Sequence, residues 1–365
     1  MNAPRPDRRR LGRLALGTVL SRAWPWRALI SPASATGATR AATALAPAAL
    51  TGCASWGTWN DEGSAQARAL VADPPAGLPR AVHLADTPFF PQTELQCGPA
   101  TLATLLQAIG RRATPAELAP QLFVPERGGS LQIEMLAAPR RHDALATRLP
   151  SRLDAVLREL AAGHPVGVMQ NLALDWIPMW HFAVLIGFDL DRGEAILRSG
   201  TTREQRLDLL TFERTWARAQ RWAFAVSPPE EPPATAEPPA MREALLGFER
   251  VAPPARAVTA WQAAARRWPD DLVIGMGLGN SLLQAGRPED AAQAFAQVAT
   301  RTDAAAAWNN LANVRLRQSR LPEARDAARR AVLRAAAAEP GVLEATRATL
   351  AEVEAAFAAA GNPRP

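Results

Sequence analysis

The chain has 365 residues, room for two ordinary domains, and its 48% hydrophobic content can supply packed cores. Its net charge of +6 invites a nucleic-acid reading, but eight arginines against one acid place +7 in residues 1–52, so the remainder carries −1. A basic surface for nucleic acid is thereby excluded for the body of the protein. The only two cysteines, Cys53 and Cys97, each have a separate local setting, which argues against a disulfide between them.

The N-terminus is basic, with Arg8-Arg9-Arg10, and continues into the short apolar runs Leu14–Leu20 and Ala41–Leu50. Neither reaches the ~20 apolar residues of a transmembrane helix. Both have the length of a signal-peptide apolar region. The second run ends in Leu50-Thr51-Gly52-Cys53, which resembles the bacterial lipobox. That resemblance implies a lipoprotein signal peptide over 1–52 and a diacylated Cys53 as the new N-terminus, anchored in a lipid membrane. Ala54 and Ser55 follow, with no Asp beside the cysteine. By resemblance to sorting signals, this implies the outer membrane of a bacterial cell envelope, facing the periplasm. Residues 53–80 are small, polar and rich in Pro and Gly, and read as a flexible tether.

A first domain is expected over 81–226. An extended, proline-bounded segment turns into a helix at Cys97, with Leu102, Leu105, Leu106 and Ile109 on one buried face. Gly98 permits the tight entry and Pro99 suits a first-turn position that needs no N–H. Cys97 then lies over the positive end of the helix dipole, which favours thiolate over thiol. A buried structural cysteine is the alternative from local sequence. Further helices are expected over Pro115–Leu122, with Thr114 as N-cap, over Leu131–Pro139 after a loop at Arg127–Ser130, and over Leu153–Ala162, closed by Gly163. The pattern then turns to strands at Val166–Asn171, His181–Phe188, Glu194–Arg198 and Trp222–Val226, with a turn at Asp189–Gly193 and a helix at Phe212–Ala219. Helices first and an antiparallel sheet after make an α+β domain.

Of the four histidines, His83 lies near the linker region, His142 in a charged loop and His164 in a turn, while His181 opens the central strand. A strand-opening imidazole is held rigidly enough to serve a thiolate as base, with His164 as runner-up. No His/Cys/Asp cluster has metal-ligand spacing, so no metal or cofactor is expected.

The segment Phe90-Pro-Gln-Thr-Glu-Leu-Gln-Cys-Gly-Pro-Ala100, followed by His181-Phe-Ala-Val-Leu-Ile-Gly-Phe-Asp189, resembles the bacteriocin-processing, double-glycine-leader cysteine peptidases, which are papain-like. The resemblance covers roughly 86–226. It implies Cys97 as nucleophile, His181 as base and Gln92 as oxyanion-hole donor, with Gln96 ranked below Gln92. The family's third member, an Asp on the strand after the histidine strand, has no counterpart in Ile196-Leu-Arg-Ser-Gly-Thr201. Ser199 falls nearest that place, and Asp189 and Asp191 lie at the far end of the His181 strand. The resemblance thus implies a peptide or protein substrate and cleavage after small residues of the Gly-Gly type. A non-catalytic, peptide-binding assembly lipoprotein and an acyl transferase using the same nucleophile are the rivals.

Residues 227–240 form a proline-rich acidic spacer, read as a linker unable to build a core. Beyond it Leu278-Gly-Asn280 matches Leu311-Ala-Asn313, Asp290-Ala291 matches Glu323-Ala324 and Ala294 matches Ala327, all at an offset of 33. This resembles tetratricopeptide repeats and implies an all-α domain over 241–360, with about three units. Its first helix, Met241–Arg250, is degraded and Val342–Ala359 is a cap. Arrays of this kind bind protein partners.

Overall fold

The computed structural model describes residues 61–92, 96–124 and 129–361. The leader and Cys53 lie outside them, as does part of the Arg127–Ser130 loop. A 3-10 turn, Asp61–Ser64, leads into α1 (Ala65–Ala72). This corrects the reading of 53–80 as one flexible tether. Ala67 and Leu70 are buried in the core, the Ala67 amide donates to the buried Glu213 carboxylate at 2.6 Å, and Gln66 Oε1 accepts from the Leu153 amide at 2.6 Å. The anchors are small residues and two polar side chains, which leave no strong apolar periodicity to read.

There follow β1 (Ala81–His83), α2 (Cys97–Ala108) and α3 (Pro115–Leu122). Thr114 caps α3 as expected, in a reciprocal capping box with Glu117. The two-residue strands β2 (Phe123–Val124) and β3 (Gly129–Ser130) pair antiparallel. The helix expected to run to Pro139 is shorter: α4 (Gln132–Ala137) tightens into a 3-10 turn over Ala138–His142. Then come β4 (Leu145–Arg148), α5 (Leu153–Ala161), β5 (Val166–Asn171), β6 (Trp180–Asp189), β7 (Glu194–Ser199), β8 (Thr202–Asp208), α6 (Leu209–Arg218) and β9 (Ala223–Ser227).

The strands form one antiparallel sheet in the order β4-β9-β5-β6-β7-β8, with β1 added against the far end of β6. Alternation along β6 splits its side chains between two layers. Phe182, Val184 and Ile186 pack with Leu102, Leu105 and Leu106 of α2, while Ala183 and Leu185 pack with α5 and α6 through Leu157, Phe212 and Trp216. α2 is buried almost all round because it lies between the sheet and α3, which extends its burial beyond the one face expected from Leu102, Leu105, Leu106 and Ile109.

The second region is α7 (Pro238–Glu249), α8 (Pro254–Arg267), α9 (Leu272–Gln284), α10 (Pro288–Thr302), α11 (Ala305–Arg317), α12 (Leu321–Ala338) and α13 (Leu343–Gly361). Its core is alanine-rich, built around Phe295, Trp308 and Val353. Among the described residues no helix is long and apolar enough to cross a membrane.

The expected spacer is not free of structure. Buried Glu159 of α5 accepts hydrogen bonds from the amides of Ala234 (2.9 Å) and Thr235 (2.7 Å) and from the Thr235 hydroxyl (2.7 Å). The Arg267 guanidinium donates to the Pro233 and Ala234 carbonyls. Prolines remove donors but keep carbonyls, so a Pro-rich segment docks where donors are supplied to it. Beyond it Met241, Leu245 and Phe248 pack on Leu145 of β4, and Arg256 clamps Asp143 at 2.7 and 2.8 Å.

Glu159 also meets His164 Nδ1 at 2.7 Å. Burial pushes the Glu159 carboxyl up, but hydrogen bonds from His164, Thr235 and Ala234 outweigh it and hold it below its ordinary value. The Glu159 hydrogen bond chiefly raises His164, against burial. The Glu159 contribution to stability is therefore present at neutral pH and lost as pH falls through its lowered value. The His164 contribution is complete below about 6.5 and lost as pH rises through its raised value. Melting temperature against pH is expected to fall on both sides of this window. His164→Gln should remove the alkaline fall, and Glu159→Ala should cost about 3 kcal/mol at neutral pH.

Candidate active site

The approach to Cys97 is fixed by an arginine the sequence reading passed over. Arg198 of β7 is 3% exposed and donates to the carbonyls of Ala85 (2.6 Å), Thr87 (3.0 Å) and Arg203. Three carbonyls satisfy a buried guanidinium without a carboxylate. The signal was in the sequence, a charge inside the apolar strand Ile196-Leu-Arg-Ser199. Further along, the Gln92 amide donates to the Gly200 carbonyl at 3.0 Å, and Gln92 Oε1 accepts from the Gly200 amide at 3.2 Å. Gly200 has φ +57°, a left-handed position in the β7–β8 turn that suits glycine. With its oxygen tied to that turn, Gln92 keeps its Nε2 amide as a donor.

Cys97 is the first residue of α2, half-buried, with a free thiol. Gln96 precedes it, exposed and making no side-chain cap, so among the described residues no side chain caps the first amides of α2. Ser130 of β3 sits directly against Gly98: a Cβ there would come within 2.3 Å of its Oγ, so only glycine fits.

His181 is the second residue of β6, paired across the ladder with Gln170. Its Nε2 lies 2.9 Å from Ser199 Oγ, the residue singled out at the place of the missing acid. With Nε2–H donating to Ser199, Nδ1 carries the lone pair. Burial lowers the imidazole pKa, and among the described residues no carboxylate opposes it. The base is thus neutral at neutral pH, and Ser199 offers its conjugate acid a hydroxyl dipole.

The β7–β8 turn therefore brings two expected site residues together, Ser199 holding His181 and Gly200 holding Gln92. Cys97 lies at the start of α2, which packs on β6, the strand that His181 opens. Among the described residues no hydrogen bond joins Cys97 Sγ to the His181 ring in this resting arrangement.

The other candidates lie elsewhere. His83 pairs with Glu204 at 3.4 Å, His164 belongs to the Glu159 cluster, and His142 ends the 3-10 turn. Asp189 caps the Arg192 amide, and Asp191 binds Arg80. Asp189 is eight residues along β6 from His181, about 26 Å of strand, too far to orient its ring. Among the described residues no group of three or more His, Cys, Asp or Glu is placed to hold a metal.

Residues 84–224 match the model of the Peptidase_C39 like family, a span that holds Gln92, Cys97, His181 and Ser199. This part of the chain is a C39-like peptidase domain. Residues 254–303 and 276–340 match the tetratricopeptide repeat, so the C39-like domain is followed by a repeat region. Similar solved structures include a protein described as a C39-like peptidase from Bacillus anthracis, at 18% identity over 40% of this chain and 96% of that one, with a TM-score of 0.36. Another is a double glycine motif protease from an AMS/PCAT transporter, solved with its leader peptide, at 21% identity over 40% and 93% of the two chains and a TM-score of 0.31. No curated protein matches the chain.

Proposed function

We propose that the C39-like domain is a cysteine peptidase, held to a bacterial envelope membrane, facing the periplasm, by an acylated Cys53. In this reading Cys97 Sγ attacks a peptide carbonyl and His181 Nδ1 takes the thiol proton. The tetrahedral oxyanion forms between Gln92 Nε2 and the Cys97 amide. Collapse breaks the C–N bond, His181 returns the proton to the leaving amine, and water then hydrolyses the thioester with His181 again as base. The repeats recruit a protein partner, and the substrate is a peptide segment with small residues such as Gly-Gly before the cut. The observation that carries the reading is the placement of Cys97, a free half-buried thiol at the first turn of α2, on the helix packed against the strand that His181 opens. Closing of the thiol onto the imidazole belongs to substrate binding, as in many apo sites.

A second reading, a peptide-gripping assembly factor without turnover, is favoured by one observation, the hydroxyl partner of His181 where a carboxylate would stabilise imidazolium. Ser199→Asp separates the two. In the peptidase, kcat/KM for library peptides depends on neutral His181, so its acid limb falls below pH 6.5. The introduced carboxylate would raise the His181 pKa, move that limb toward neutral and raise the plateau roughly tenfold. Cleavage absent from both proteins, with peptides bound unchanged, would decide for the assembly factor.

A further inference from the structure

The hairpin joining β5 to β6 has no role in the site described above. Of the twelve large apolar side chains that are markedly exposed among the described residues, six fall in it: Leu172, Leu174, Trp176, Ile177, Met179 and Trp180, at 45–75% exposure. Its only charge over residues 172–180 is Asp175. Single exposed apolar residues are ordinary, but six in nine positions on one projection are not.

The backbone at the base of the hairpin is closed on itself. The Leu172 amide donates to the Met179 carbonyl at 2.9 Å and the Ile177 amide to the Leu174 carbonyl at 3.1 Å. Buried Asn171 Oδ1 accepts from the amides of Ala173 (3.1 Å) and Met179 (2.9 Å), and Pro178 has no N–H. Entry into an apolar medium is favoured by outward apolar side chains and by backbone groups paired internally, and the base of this hairpin has both. Trp176 and Trp180 have the amphipathic rings that settle at a bilayer interface, and Asp175 limits the depth.

The proposed Cys53 anchor bears on where a bilayer would be. The described chain begins at Asp61, eight residues after Cys53, so an acyl anchor lies within at most about 28 Å of chain from it. The Asp61–Ser64 turn and α1 pack on α6, and Arg218 of α6 holds the Asn171 carbonyl at the hairpin base at 3.0 Å. The first described turn and the hairpin base thus share one helix.

We infer that the Leu172–Trp180 hairpin enters the outer layer of a lipid bilayer and holds the His181 end of the sheet against the membrane surface. The inference rests on the membrane part of the proposed function. The test is independent of catalysis. The full chain carrying Cys53→Ser and Cys97→Ser receives a bimane label at Ile177→Cys, and vesicles of equal parts phosphatidylethanolamine and phosphatidylglycerol are added. The expected result is a blue shift of bimane emission and its quenching by lipids brominated on the acyl chains. The same label at Leu333→Cys, exposed on the repeats, should not respond. Emission at position 177 that stays water-like on vesicles overturns the inference. So does emission that responds to library peptides and not to vesicles, which would make the hairpin a substrate contact.

Discussion

Cys97→Ala is expected to abolish peptide hydrolysis, with a fall in kcat of at least about 10⁴-fold, while melting temperature stays close to that of the parent. The size follows from what is removed. A residue that forms the covalent intermediate cannot be bypassed by its neighbours, and loss of one member of such a unit costs nearly as much as loss of all. The retained stability follows from position: Cys97 is half-buried at a helix end, and among the described residues its side chain makes no hydrogen bond. Alanine is the better helix former, and its small side chain leaves the contact of Ser130 with Gly98 undisturbed. Hydrolysis by the purified variant at the parent rate would remove Cys97 from the chemistry.

Gln92→Ala is expected to lower kcat by about 10²–10³-fold with little change in KM, the usual cost of one oxyanion donor. The arrangement makes a sharper comparison available. Gln92 Oε1 is committed to the Gly200 amide, and only Nε2 is left to meet an oxyanion. Gln92→Glu keeps the acceptor and removes the donor, so it should hold the Gly200 turn in place and still lose rate as severely as alanine, with added repulsion of the developing charge. If glutamate retained the activity that alanine lost, Gln92 would be a positioning residue acting through the turn. Steady-state kinetics of the three proteins on one peptide would settle this.

How much of this was legible beforehand differs by region for physical reasons. The Cys97 helix and the His181 strand carry large apolar side chains at the right periods, and both were readable. The closeness of Ser199 to His181 also followed from the order of the strands, because strand register fixes what can lie beside a strand-opening histidine. β1, β4 and β8 were not readable. β8 is a largely exposed edge strand, Thr-Arg-Glu-Gln-Arg-Leu-Asp, whose pairing with β7 is set by the turn rather than by its own hydrophobicity. Docking of 227–240 was invisible for a related reason. It depends on Glu159, an acid in an amphipathic helix that reads as solvated until its four donors are seen together. Arg198 went unread although it is a charge inside an apolar strand, because most of its partners are carbonyls more than a hundred residues away.

The central claim is that Cys97 and His181 act as one unit, and alkylation of Cys97 tests it without knowledge of the substrate. The rate of modification by iodoacetamide, read by peptide mapping at Cys97, should be measured against pH in the parent and in His181→Ala. The account predicts faster alkylation in the parent through the neutral range, with at least a tenfold loss in the variant, as general-base assistance is withdrawn. A rate that follows an ordinary thiol of pKa about 8.5 and is the same in both proteins would contradict it.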